Sequence, residues 1–138
     1  MTLVDTNVLL DIVTGDPAWA KWSLEQLEAA ADRGPVLIND IIYAELSIRY
    51  PRVEELDTFV DGTGLEILPM TRQALFLAGK AFAKYRMAGG KRDRLLPDFF
   101  IGSQAEVSRL PVLTRDIERY RTYFPTVPLI SPNPAAGS

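Results

Sequence analysis

The chain of 138 residues contains no cysteine and no histidine. The first absence excludes disulfides, thiolate zinc sites and thiol nucleophiles. The second excludes more, because histidine is the commonest general base and the commonest soft metal ligand. A Ser-His-Asp triad, a Cys-His pair and a histidine zinc centre are all ruled out. Any acid–base work falls to carboxylates, lysine, tyrosine or bound water, and oxygen-rich sites select hard cations such as Mg2+ or Mn2+. Long apolar runs are missing as well, so no segment is expected to span a bilayer. The start of the chain lacks a basic stretch followed by an apolar segment and a cleavage site. A cytoplasmic protein without membrane association is the expectation.

What is present suits one globular domain: 47% of residues are hydrophobic and 24% charged. Residues 1–130 are expected to form that domain, and the Pro-rich stretch 131–138 a flexible C-terminal tail. The net charge of -3 conceals an asymmetry. Residues 1–79 hold 13 acidic and 5 basic side chains, and residues 80–138 hold 5 acidic and 10 basic. Lys84, Arg86, Lys91, Arg92 and Arg94 form a basic block. Each alone reads as a solvated surface charge; as a block beside acids they suit a rim that tracks phosphates.

Short β-branched runs alternate with helical periods, which predicts βαβ units and an α/β fold with a parallel sheet of four to five strands. The expected strands are 2–4, 36–38, 65–68, 111–113 and 127–130, the last at an edge because Pro128 cannot donate to a ladder. Thr6 or Asn7 is expected to cap a first helix. Asp16 and Pro17 should open a second, with Trp19, Trp22, Leu24 and Leu27 on one broad face. Asn39 or Asp40 and Thr71 should cap two more, and Pro97 or Asp98 should begin another.

Ligands of open parallel sheets bind beyond the carboxyl ends of the strands, where the strand order reverses. Asp5 stands directly after the first strand and Asp116 just after the fourth. Glu45 lies on a helix among Ile42, Leu46 and Ile48, and Asp98 opens the helix before the fourth strand, where the helix dipole favours its charge. Singly, each acid also reads as a cap, turn or surface residue. Brought together they would repel, and only cations or an arginine would make the arrangement tolerable.

The motifs resemble those of the PIN domain family. Leu3-Val4-Asp5-Thr6-Asn7-Val8-Leu9-Leu10 is similar to its opening motif, and Ile41-Ile42-Tyr43-Ala44-Glu45-Leu46 to its second. The stretch from Leu96-Pro97-Asp98 to Ala105 is similar to the third, and Val112-Leu113-Thr114-Arg115-Asp116 with Tyr120 resembles the fourth. Short length and compact motifs look like the VapC-type toxins. The resemblance implies a three-layer α/β/α fold and a metal-dependent endoribonuclease. It implies Asp5, Glu45, Asp98 and Asp116 as catalytic, metal-binding acids, with Asn7 and Thr114 as supporting positions. It also implies Mg2+ or Mn2+, an RNA substrate, a VapB-like antitoxin and a homodimer. Asp11 and Asp93 are nearby acids without an assigned role. Lys84, Arg86, Lys91, Arg92, Arg94 and Arg115 are candidates for RNA contact, and Tyr85, Tyr120 and Tyr123 for base stacking or packing.

Three other readings compete. A haloacid-dehalogenase-like phosphatase also places Asp after its first strand but uses Asp-x-Asp, and here the second position is Asn7. A PIN-type interaction domain without catalysis is a second, although all four acids are retained. The third is an RNA-processing nuclease without an antitoxin.

Overall fold

The computed structural model describes residues 1–91 and 96–132. Arg92, Asp93 and Arg94, and most of the expected tail, lie outside the described residues. Five parallel strands form one sheet in the order β3-β2-β1-β4-β5. They are β1 (Thr2–Val4), β2 (Val36–Asn39), β3 (Leu65–Leu68), β4 (Val112–Leu113) and β5 (Leu129–Ile130). Helices flank the sheet: α1 (Thr6–Thr14), α2 (Ala20–Arg33), α3 (Asp40–Ser47), α4 (Val53–Thr63), α5 (Arg72–Met87), α6 (Pro97–Ser108) and α7 (Glu118–Tyr123). This is the expected three-layer α/β/α arrangement. Among the described residues no helix is long and apolar enough to cross a membrane.

The central strands explain themselves. Leu3 and Val4 of β1, Ile38 of β2, and Val112 and Leu113 of β4 are entirely buried. A strand covered on both faces reads as a continuous apolar run rather than an alternation. The edges are weaker: Leu129 and Ile130 are half-buried, and the fifth strand is only these two residues rather than 127–130. Pro128 precedes it and contributes only its carbonyl, which accepts from the Val112 N–H at 2.9 Å.

The helix ends follow local chemistry. Asn39 and Thr71 cap α3 and α5, their side chains accepting from the N–H groups of Ile42 and Ala74 at 3.0 and 3.1 Å. Pro97 occupies the first turn of α6, where its missing N–H costs nothing. Asp16 accepts from the N–H groups of Ala18 and Trp19, but this makes a turn, and α2 begins only at Ala20. Leu24 departs from its expected face and is exposed, whereas Trp22 and Leu27 pack on the core.

Helix α6 sets the geometry of the site. It carries Phe99 and Ile101, both fully buried, and each contributes about 2–3 kcal/mol by leaving water. Gly102 lets the ring of Phe124 lie against the helix; a Cβ there would stand 2.3 Å from that ring. The Gln104 amide donates to the carbonyl of Pro69 at 3.0 Å and so ties α6 to the chain leaving β3.

Candidate active site

β1 lies at the centre of the sheet, with β2 on one side and β4 on the other. The strand order therefore reverses between β1 and β4, and a crevice opens beyond their carboxyl ends. Asp5 is the first residue past β1, and its N–H donates to the carbonyl of Leu113 at 2.8 Å. Thr114 is the first residue past β4. Two residues 109 apart in sequence thus meet, and the Thr114 hydroxyl donates to Asp5 Oδ2 at 2.9 Å.

Asp5 rather than Thr6 or Asn7 takes the N-cap position of α1, but its side chain makes no capping bond. Its Oδ2 instead accepts from the Tyr120 hydroxyl at 2.8 Å and lies 3.5 Å from the Asn7 amide. The carboxyl is 5% exposed. Burial pushes its pKa up to about 6; the bonds from Tyr120 and Thr114 oppose that rise, and the charge of Asp98 adds to it.

Glu45 is on α3, half-buried, and its Oε1 accepts from the Thr6 hydroxyl. Burial raises its pKa, the Thr6 bond lowers it, and the Asp98 charge raises it further. Asp98 opens α6, and its Oδ2 forms an ion pair with Arg119 Nη1 at 2.9 Å. The Tyr120 phenol is pushed well above its ordinary range, first by burial and then by the charges of Asp5, Asp98 and Glu45. It stays protonated and acts as a donor. Of these three acids Asp5 is the one that bonds the hydroxyl.

Asp116 is placed differently. It is exposed, on the turn after Thr114, and its N–H donates to the Thr114 hydroxyl at 3.1 Å. Its side chain lines an open cleft of about 330 Å³ with Tyr85, Glu118, Arg119, Thr122 and Tyr123. Among the described residues no three acids stand close enough to share one ion. The donor chemistry nevertheless fits a hard divalent cation. Every candidate ligand is a carboxylate oxygen, and two of these carboxyls have pKa values raised by burial and a neighbouring negative charge. Arg119 supplies the positive charge at Asp98.

The supporting residues form a network around the β4 exit. The Thr114 hydroxyl receives the Asn7 amide at 3.3 Å, and Asn7 Oδ1 accepts from the Arg115 N–H at 3.4 Å. Arg115 pairs its guanidinium with Asp11: Nε and Nη2 bond both oxygens of its carboxylate at 2.7 and 2.9 Å. Its guanidinium also lies 5.3 Å from the Trp19 ring centre, and Ser23 completes the buried Asp11 carboxylate at 2.8 Å. Asp11 is therefore a structural anchor for Arg115, and Trp19 stacks under that anchor.

Four roles escape the linear sequence. Tyr120 holds Asp5 instead of stacking on a base. Thr6 holds Glu45, Arg119 neutralises Asp98, and Ser23 supports Asp11. Only Tyr120 has a local signal, as the aromatic one helical turn past Asp116. Lys84, Arg86 and Lys91 are exposed. Lys84 and Arg86 flank Tyr85, whose ring lines the cleft, in the last turn of α5.

The comparisons with known proteins agree with this fold. The profile of the PIN domain matches residues 2–125. No curated protein matches the chain by sequence. Among solved structures, the chain is similar to one in VapBC2 from Rickettsia felis bound to a DNA fragment from their promoter. That match has 20% identity and a TM-score of 0.72, covering 94% of this chain and 97% of the other. A chain of DNA-bound VapBC from Salmonella typhimurium matches at 21% identity and a TM-score of 0.69, covering 94% and 96%. A chain of VapBC-1 from nontypeable Haemophilus influenzae matches at 14% identity and a TM-score of 0.70, again covering 94% and 96%. With its profile match over nearly the whole length and its acids at the reversal of the sheet, the chain belongs to the PIN domain family.

Proposed function

We propose that this protein is a divalent-metal-dependent endoribonuclease and the toxin of a VapBC-like pair. The observation that carries the reading is Asp5, buried at the strand-order reversal and held by Tyr120 and Thr114, with Asp98 near enough for its charge to act on both Asp5 and Glu45. Asp5 and Glu45, both pushed up by burial and by the charge of Asp98, in a chain without histidine, suit hydrolysis of a phosphodiester with the help of a hard cation. Asp5 and Asp98 are assigned as direct ligands, and Glu45 and Asp116 as direct or water-mediated ones. Mg2+ or Mn2+, when bound, polarises the scissile phosphate and makes water a stronger nucleophile.

The chain's own part is positioning and proton handling. Thr114 and Tyr120 hold Asp5 in one orientation. Thr6 aims Glu45, which accepts a proton from the attacking water. Lys84, Arg86 and Lys91, with Arg92 and Arg94, attract the RNA backbone to a pocket that is itself acidic. Arg115 drops out of that set, because Asp11 holds its guanidinium. Attack by water rather than by the ribose hydroxyl yields a 5′-phosphate and a 3′-hydroxyl. Asn7 cannot serve as the general acid of a phosphatase, since its amide carries no titratable proton.

A cytoplasmic homodimer bound by a VapB-like antitoxin completes the reading, supported by likeness to chains from VapBC complexes. The test is expression of the wild type and of Asp5→Asn with mapping of RNA ends in the cells. Growth arrest with new 5′-phosphate ends, absent in the variant, is the expected result. Intact RNA from a folded wild-type protein supplied with Mn2+ would overturn the assignment.

A further inference from the structure

The cleft beside the acids has a composition of its own. Two of its walls are the rings of Tyr85 and Tyr123, 6.1 Å apart and inclined at 74°. One flat guest can lie parallel to one of these rings but not to both. The Arg119 guanidinium already lies 5.6 Å from the centre of the Tyr85 ring, which leaves Tyr123 as the platform. Arg119 also reaches Asp98 at 2.9 Å, so it joins the cleft to the acids. The volume of about 330 Å³ is that of a small-ligand site.

The polar lining offers acceptors at Asp116, Glu118 and Thr122, whereas its one guanidinium, Arg119, is engaged by Asp98. Asp116 and Glu118 line the cleft, and both residues are exposed. The Thr122 hydroxyl donates to the backbone carbonyl of Glu118 at 3.0 Å, which commits its proton and leaves it an acceptor. Such a lining accepts hydrogen bonds from an amino group and repels a carbonyl edge. A carboxylate accepting from the exocyclic amine of cytosine is a known pairing of this type, and bases freed from a helix stack on aromatic side chains.

We propose that this cleft is a nucleobase subsite that takes one unstacked base bearing an exocyclic amine, cytosine above uracil, stacked on Tyr123. It rests on the ribonuclease reading for its ligand class and adds to it a base preference. The base would anchor the RNA while Arg119 takes the adjoining phosphate and hands it toward Asp5 and Asp98.

The test uses mononucleotides without metal. Cytidine 5′-monophosphate, uridine 5′-monophosphate and orthophosphate are titrated into the full chain in chelator, with the Tyr85 and Tyr123 ring resonances followed by NMR. Cytidine monophosphate is expected to saturate those shifts with a Kd at least threefold below that of uridine monophosphate. Thr122→Trp, which fills the cleft from an exposed position, should weaken it at least tenfold, and Glu118→Gln should erase the cytidine preference. Three results each overturn the proposal: no ring shifts, equal shifts with orthophosphate, or unchanged cytidine monophosphate binding in Thr122→Trp. A parallel RNA cleavage assay with Mn2+ separates the two readings. Cleavage with a cleft that ignores nucleotides removes only the subsite, and nucleotide binding without cleavage removes only the nuclease.

Discussion

The hydroxyl of Tyr120 donates to Asp5 Oδ2 at 2.8 Å, joining α7 to the end of β1 inside the core. The phenol is 1% exposed and the carboxyl 5%, so neither group has ready water to fall back on. Removing the hydroxyl leaves a buried acid with one bond fewer, at a cost of about 1–2 kcal/mol. Tyr120→Phe is expected to lose that much stability in urea denaturation at pH 7. It should also raise the pKa of Asp5 further, so the acid limb of the cleavage pH profile moves to higher pH. A variant with an unmoved acid limb would show that Asp5 ionisation does not govern the reaction.

Asp5 itself makes the metal-free protein sensitive to pH. Its pKa is raised from 3.8 to about 6, so the folded state favours the neutral carboxyl. That contribution to stability is complete below about pH 3.8 and is lost as pH rises through about 6. Its full size is about 3 kcal/mol. Wild type and Asp5→Asn should therefore differ little in chelator near pH 4, and near pH 7 the variant should be the more stable of the two. Melting curves of both proteins across that range decide it; a constant gap between them would show that burial of Asp5 has no energetic consequence.

Divalent cation is expected to reverse this order. A ligand at a hundred times its Kd stabilises a folded protein by about 2.7 kcal/mol. Mn2+ should raise the Tm of wild type and leave Asp5→Asn nearly unchanged, with cleavage lost in the variant. Equal shifts in both proteins would place the cation elsewhere.

Asp11, buried, and Arg115, partly exposed, make a two-pronged pair supported by Ser23 and Trp19. Arg115→Ala leaves the 4%-exposed Asp11 side chain with an unmatched charge, which costs about 3 kcal/mol. Arg115→Lys is expected to recover less than half, because a point charge cannot make both bonds. Cleavage should fall with stability, since the pair with Asp11 anchors the residue between Thr114 and Asp116. Chemical denaturation of both variants checks the order.

Gly102 faces Phe124 across a contact with no room for a methyl group. Alanine is the better helix former by about 1 kcal/mol, yet overpacking a core costs about 1–3 kcal/mol. Gly102→Ala is expected to destabilise on balance, and a calorimetric Tm above that of wild type would refute it.

The absence of histidine and cysteine limited the chemistry to oxygen donors, and the buried runs at 2–4, 36–38 and 112–113 set out a parallel sheet. The places of Asp5 and Asp116 beyond strand ends were legible because each follows such a run. Strand ends and caps depend on neighbours a few residues away, so local pattern captures most of them. Pairings across long separations do not: Thr114 with Asp5, Arg119 with Asp98 and Arg115 with Asp11 span 109, 21 and 104 positions. An arginine four residues from an acid and one across the sheet look alike in a string of letters. Only packing of α6, α7 and the β4 exit against one another decided that Arg119 meets Asp98, that Tyr120 meets Asp5, and that Asp116 faces the cleft. Burial then raised the pKa of Asp5 and of Tyr120, because desolvation is a property of the assembled core and of no single segment.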